Sequence, residues 1–350
     1  MRAHLKRAFL IASKYAGLFW LAGLLTRRGL RILCFHGSSL DDEHLFRPKL
    51  FMRAATLARR LAFLKRAGFP VLPLGEAVER LRAGTLPARA VAVTIDDGFY
   101  GTYRDAAPLF RRLAMPATLY ITSYYVVRRN PVYGLVVQYM FWKTQREEAD
   151  LGGLVPEIRG TVSLRDAAVR TRVMDQIVDY GEARCDEAAR CALARALGER
   201  LGVDYDEIVK RRMLGLMSVE ELRGVAAAGL DVQSHTHRHR FPMEEAVARQ
   251  ELVDNRAALE PAIEKRLEHF CYPSGEWSAR QWPWLEAAGM KTATTCDEGI
   301  NYAATPPLAL RRFVDGEDIS PIEFEAKLSG YADMLRAGRQ GIRRLLGGEF

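Results

Sequence analysis

The sequence lacks the features of a small stapled domain, a repeat protein or a nucleic-acid binder. It carries 5 cysteines, Cys34, Cys185, Cys191, Cys271 and Cys296, and their spacing forms no C-x-x-C. An odd count without such a pair excludes a fully paired disulfide framework, so reduced thiols in a cytoplasmic setting are expected. No internal repeat is visible, which excludes a solenoid or propeller. No nucleic-acid motif is present. The apolar run from Ala8 to Leu25 contains Ser13 and Lys14 and is followed by no A-x-A-like cleavage site. It does not read as a signal peptide, and at about 18 residues with an internal lysine it is marginal as a membrane span. Histidine is scarce, 7 in 350 residues, yet four of these are His36, His235, His237 and His239.

What is present is a globular composition. Hydrophobic residues make up 49% and charged residues 27% of the 350, enough for one large α/β barrel with additions or for two ordinary domains. The net charge is +8, and part of the excess sits in Arg2, Lys6, Arg7, Arg27, Arg28 and Arg31 and in Arg336, Arg339, Arg343 and Arg344. Without a nucleic-acid motif, a basic balance of this kind fits an anionic membrane surface or a generally solvated basic surface. Two readings of the N-terminal run stand. It is a helix lying at the membrane interface, with Phe19 and Trp20 buried and Lys6, Arg7, Arg27 and Arg28 on headgroups. Alternatively, it is an amphipathic helix covering one end of the fold.

Along the chain, short apolar runs alternate with helical periodicity. Strands are expected at Arg31–His36, Val71–Leu74, Ala90–Ile95 and Pro116–Ile121. Further strands are expected at Leu230–Gln233, His269–Tyr272, Lys291–Thr295 and Leu308–Val314. Helices are expected over 49–67, 75–83, 103–113, 244–266 and 279–288. This alternation predicts an α/β fold with a mostly parallel sheet. Between 124 and 216 the pattern turns helix-rich and charged, with amphipathic segments such as 183–201 and no strong strand. The organisation expected is an N-terminal helix at 1–29, a barrel in two parts at 30–123 and 217–315, a helical insertion at 124–216, and a basic helical tail at 316–350. The insertion holds Tyr124, Tyr125, Tyr133, Tyr139, Phe141 and Trp142, aromatics that suit a core, a sugar ring or a membrane.

Two polar islands carry the chemistry. Thr94-Ile95-Asp96-Asp97-Gly98 ends the clearest strand with two carboxylates and a turn glycine. A barrel places its active site at that end of its strands, where both carboxylates can reach one site. Ser234-His235-Thr236-His237-Arg238-His239 offers imidazoles four residues apart. In a helical turn His235 and His239 share a face while His237 points elsewhere. Two His and one Asp leave positions open on a metal ion for water and substrate, the arrangement of a hydrolytic site, and the second Asp is then free as a general base.

With these residues the chain resembles the polysaccharide deacetylases with a NodB-homology domain, carbohydrate esterase family 4. The resemblance rests on the two islands, on Tyr272-Pro273-Ser274-Gly275, on Ile32-Leu33-Cys34-Phe35-His36-Gly37 and on Pro116-Ala117-Thr118-Leu119-Tyr120. It covers roughly residues 30–125 and 216–315. It implies a distorted (β/α) barrel of about seven strands with a helical insertion, and metal-dependent hydrolysis of an N-acetyl, sometimes O-acetyl, group on a sugar. The metal implied is zinc, with Co2+, Ni2+ or Mn2+ as alternatives. Asp96 is implied as the general base, and Asp97, His235 and His239 as metal ligands. The backbone N–H near Ser274, beside Tyr272, is implied as an oxyanion donor.

The sequence departs from the common pattern of that family. Ser274 stands where the turn usually has an aromatic residue, and no arginine precedes the turn. Arg312 is the candidate replacement, pairing with Asp96 to keep it ionised. The late strand with a catalytic-acid histidine is absent, and the opening strand ending in His36 resembles a version of it moved forward, so His36 is the candidate general acid. The expected substrate is an amino sugar of a surface polysaccharide, a glycolipid or a lipid-linked precursor. Peripheral membrane contact through residues 1–28, at the inner face of the cytoplasmic membrane, is expected with it. A non-catalytic sugar-binding relative and a hydrolase of another acyl group such as formyl remain as alternatives.

Overall fold

The computed structural model describes residues 2–345, with side chains described for residues 4–338. The side chains of Arg2, Arg339, Arg343 and Arg344 therefore lie outside the described residues. Seven parallel strands form the central sheet: β1 Arg31–Phe35, β2 Val91–Ile95, β3 Thr118–Ile121, β4 Asp231–Ser234, β5 His269–Cys271, β6 Thr292–Thr294 and β7 Phe313–Val314. Their spatial order is β6-β5-β4-β3-β2-β1-β7. The sheet curls until its edges meet at one parallel bridge, Thr294 to Leu310, just ahead of β7. The parallel sheet is what the alternating pattern predicts, and the distorted barrel is what the family resemblance implies.

β1 and β2 are largely apolar on both faces because both are covered. In β2 all five residues of Val91–Ile95 are buried. Val91, Val93 and Ile95 join the large core beneath the surrounding helices, with Leu33 and Phe35 of β1. Ala92 and Ile32 face the other way, into a smaller core with Tyr120, Cys271 and Leu310, where helix Leu74–Arg82 also packs. The strand's period of two therefore sends Ala92, Thr94 and Asp96 to the barrel interior.

Several expectations need correction. Val71–Leu74 is no strand: Val71 makes a single bridge to Val91 before the next helix begins at Leu74. Leu308–Val314 is split, with a 3-10 turn at Pro307–Ala309 and a strand only at Phe313–Val314, because the prolines before it bend the chain. The helix expected over 183–201 breaks at Cys185, which is extended, and restarts at Glu187 with Asp186 as its N-cap. The insertion holds an antiparallel pair, Glu148–Asp150 with Thr161–Ser163, three residues each and too short to show as a period of two.

The N-terminal run is two helices, α1 Arg2–Tyr15 and α2 Leu18–Leu25. They are bent by 74° about Gly17, whose φ of 77 stops the first helix. No single helix among the described residues is long and apolar enough to cross a membrane. Three further helices matter below: α3 Glu245–Ile263, α4 Pro321–Leu328 and α5 Tyr331–Leu345.

Candidate active site

The site forms where β1, β2 and β4 end. Asp96 follows β2 on the interior face and is 2% exposed. Asp97 would face outward by strand alternation, but its φ of 70 turns it back to the same end of the barrel. Gly98 continues that turn at φ 89, and a side chain there would meet Ile121 Cδ1 at 2.8 Å. Two left-handed residues thus bring both carboxylates of the motif to the same end of the barrel.

Asp96 is clamped by Arg312, itself fully buried. Nη1 donates to Oδ1 at 2.7 Å and Nη2 to Oδ2 at 2.8 Å. Arg312 also donates to Thr94 Oγ1 at 3.1 Å and to the Thr295 carbonyl at 2.8 Å. Burial alone would raise the Asp96 pKa, but the charge and hydrogen bonds of Arg312 overcome it and hold the carboxyl well below the usual carboxylate range. Two thiols complete the enclosure, Cys34 Sγ at 3.5 Å and Cys271 Sγ at 3.4 Å from Asp96 Oδ2.

Asp97, His235 and His239 converge. Asp97 Oδ1 lies 3.4 Å from His235 Nε2 and 3.5 Å from His239 Nε2. One ligand atom from each of the three lies within 4.8 Å of the others. A tetrahedral ion with bonds of roughly 2.1 Å needs ligand separations of roughly 3.4 Å, so this donor set fits a divalent metal. His235 Nδ1 bonds the Cys271 carbonyl at 2.8 Å, which leaves Nε2 for the ion and is the supporting contact usual for a ligating histidine. Burial works to raise the Asp97 pKa as well, and the hydrogen bond from His235 and the charge of His239 bring it below the ordinary value.

The two histidines do not share a helical face, as their spacing led one to expect. Residues 235–240 form a loop with Thr236 at φ 65 and His239 at φ 56. That loop is held from below by α3. Asn255, wholly buried, donates to the Thr236 carbonyl at 2.6 Å and the Ile121 carbonyl at 3.0 Å, and accepts from Ser234 Oγ at 2.8 Å. Glu251, also wholly buried, accepts from the Arg238 N–H at 2.7 Å and from Arg240 Nε at 3.0 Å. Sequence reasoning missed both. The available signal was a buried-polar pair four residues apart on one face of an otherwise ordinary helix.

The remaining predicted residues separate. His36 stands at the end of β1 with Nε2 3.8 Å from Asp96 Oδ2, and its buried Nδ1 has no partner among the described residues. Ser274 lies on the Pro273–Gly275 turn after β5 with φ 57 and is exposed. Tyr272 points inward, its hydroxyl donated to the Leu308 carbonyl at 3.0 Å, so its side chain serves the core and not a substrate. Arg312 likewise is fully buried and directs its donors to Asp96 and its barrel neighbours. Beside His239 opens a cleft of about 420 Å³ lined by Tyr124, Tyr125, Glu182, Arg190, Arg238 and Arg240, which brings the insertion to the site.

Residues 197–293 match the family model of polysaccharide deacetylases. That span includes His235, His239 and the Pro273 turn. No curated protein matches the chain. The fold is similar to that of the Streptococcus pyogenes deacetylase PplD in complex with acetate, at a TM-score of 0.56 and 17% identity over 87% of this chain and 99% of that one. It is similar to IcaB from Ammonifex degensii, at 0.55 and 16% over 86% and 97%. A de-N-acetylase from Aggregatibacter actinomycetemcomitans is similar at 0.53 and 13% over 85% and 99%. At these identities the likeness is one of fold.

Proposed function

We propose that this chain, which resembles the polysaccharide deacetylases in its second-half sequence and in its fold, hydrolyses an acetyl group from an amino sugar with the help of a divalent metal. The observation that carries this reading is the joint presence of the Asp97–His235–His239 donor set and a carboxylate, Asp96, that Arg312 keeps ionised. A bound ion, zinc by preference, supplies carbonyl polarisation and a water of lowered pKa.

The chain's own residues do the rest. Asp97, His235 and His239 hold the ion. Asp96 accepts the proton of the attacking water, since Arg312 guarantees that it is charged at neutral pH. The oxyanion donor in this reading is the backbone N–H of Ser274 itself, since Pro273 carries none and the Gly275 N–H is taken by the Tyr272 carbonyl at 3.1 Å. His36, its Nε2 3.8 Å from Asp96 Oδ2, protonates the leaving amine. The cleft beside His239 offers the Tyr124 ring and several guanidinium groups to a glycan. A surface polysaccharide, a glycolipid or a lipid-linked precursor fits that reading. Five unpaired cysteines support a cytoplasmic setting.

The test uses Asp96→Asn. The purified variant retains metal stoichiometry and loses acetate release from an N-acetylated oligosaccharide by about 10²-fold or more. Retained activity removes Asp96 as the base, and loss of metal from wild-type protein under equilibrium dialysis removes the metal reading.

A further inference from the structure

We propose that the α1–α2 pair is a docking surface for an anionic lipid bilayer, and that it holds the catalytic end of the barrel away from that bilayer. Eighteen large hydrophobic residues are exposed among the described residues, and nine of them lie between Leu5 and Leu25. Such clustering in 21 residues is an apolar patch, unlike the scattered exposure of an ordinary surface. Leu5 is 65% exposed, Trp20 74% and Leu25 63%.

The patch is not a loosely placed helix. Its inner side is built into the fold. Leu10, Phe19 and Ala22 are buried against Ala326 and Tyr331. Lys6 pairs with Glu323 at 2.6 Å, Lys14 with Glu325 at 2.5 Å, and Tyr331 Oη donates to Ser13 Oγ at 3.0 Å. With this side fixed, Phe9, Leu18, Trp20 and Leu24 are left facing outward. Neither α1, of 14 residues, nor α2, of 8, spans a bilayer, and the 74° bend prevents their joining as one rod.

Charge selects the occupant. Arg7, Arg27 and Arg28 are exposed, and none makes a salt bridge among the described residues. A groove under α2 adds a mixed lining of Trp20, Leu24, Arg27, Phe63 and Arg89. Aromatic and aliphatic side chains bordered by free arginines match the boundary between acyl chains and anionic headgroups. A protein partner would have to supply acidic groups around an apolar centre, and a bilayer supplies both as a continuous surface.

The orientation follows from the chain path. The Arg89 N–H donates to the Arg27 carbonyl at 2.7 Å, and the Arg31 guanidinium binds the Thr26 and Gly29 carbonyls at 3.0 and 2.8 Å. Thus α2 ends where β1 and β2 begin, while His36 and Asp96 stand where those strands finish, roughly 16 Å further on for five residues. Resting on the proposed function for which end is catalytic, this geometry favours a glycan that reaches away from the membrane over a sugar attached directly to a headgroup.

The experiment sediments the full-length protein with phosphatidylcholine vesicles, with and without phosphatidylglycerol. Wild-type protein binds the anionic vesicles, and high salt weakens that binding. Trp20→Glu combined with Leu24→Glu lowers the partition coefficient by about tenfold or more. Arg27→Gln with Arg28→Gln lowers it by about tenfold on anionic vesicles only. Both variants keep the wild-type circular dichroism, melting temperature and acetate release, which separates lost docking from lost folding. The proposal is overturned if wild-type protein stays in the supernatant, or if Trp20→Glu with Leu24→Glu binds as wild type. It is also overturned if those substitutions instead dissociate a dimer, which would make a second copy the occupant. Vesicle binding needs no catalysis, so its outcome is independent of the deacetylase assay.

Discussion

The Asp96–Arg312 pair concentrates the electrostatics of the site in two side chains. Both carboxylate oxygens accept from one guanidinium in the barrel interior, the geometry in which arginine is not replaceable by lysine. Such a pair trades basicity for certainty of charge: Asp96 is a weak base but is never protonated near neutrality. Arg312→Met removes the partner and leaves a carboxylate enclosed by Cys34, Cys271 and barrel walls. Breaking a buried pair this way costs about 3–5 kcal/mol, measurable by denaturant unfolding. The Asp96 pKa then rises, so the acid limb of the kcat/KM pH profile moves to higher pH; an unmoved limb would show that Arg312 acts on stability alone. Arg312 was legible in the sequence only as a cation in search of Asp96. Its thiol neighbours were not, because Cys34 and Cys271 come from strands far apart in the chain and meet only in the interior.

At the scale of elements, strand ends carried most of the readable information. The runs ending in His36 and Asp96 were legible because a strand covered on both faces is largely apolar, and the polar residue that follows it marks where it leaves the core; the run Asp231–Ser234 before His235 is mostly polar and gave no such signal. What stayed hidden was loop geometry. Nothing in Ser234–His239 announces the positive φ values at Thr236 and His239, and a spacing of four suggests a helical turn instead. The N-terminal run hid its Gly17 break for a similar reason, since apolar content continues through it. The α4 helix carries a local feature that is testable. Ser320 and Glu323 form a capping box, and Lys6 of α1 binds the same carboxylate. Burial alone would raise the Glu323 pKa, yet Lys6 and Ser320 bring it from 4.5 to about 2. A carboxylate with a depressed folded pKa contributes stability above its unfolded value, and that contribution fades as pH falls from 4.5 towards 2. The melting temperature of wild-type protein minus that of Glu323→Gln is therefore positive at pH 6 and shrinks across that window. A difference that does not change with pH would mean that the α1–α4 contact is held by packing and not by this charge.

Across the whole molecule, function depends on distant segments being held in one frame. Asp97 comes from the β2 turn, His235 and His239 from the β4 loop, and α3 supports that loop through Asn255 and Glu251. A single core runs from β1 and β2 through residues of the insertion, so these parts share one packed interior. An ion that binds only when these segments are assembled must stabilise the fold by linkage. At a free metal concentration about 1,000-fold above Kd, the gain is about 4 kcal/mol, or roughly 5 °C in melting temperature for a chain of this size. Of the three proposed ligands His239 is the one to alter, because its side chain is 42% exposed and His235 is embedded. Metal-free His239→Gln protein melts within about 1 °C of metal-free wild type, since an exposed side chain carries little of the packing. Zinc then raises the wild-type melting temperature by the full amount, a chelator reverses the rise, and the variant responds by less than half. If His239→Gln gains as much as wild type, the ion sits elsewhere. The Cys34, His36 and Asp96 group, whose ligand atoms also lie within 4.8 Å of one another, would then be the site to examine.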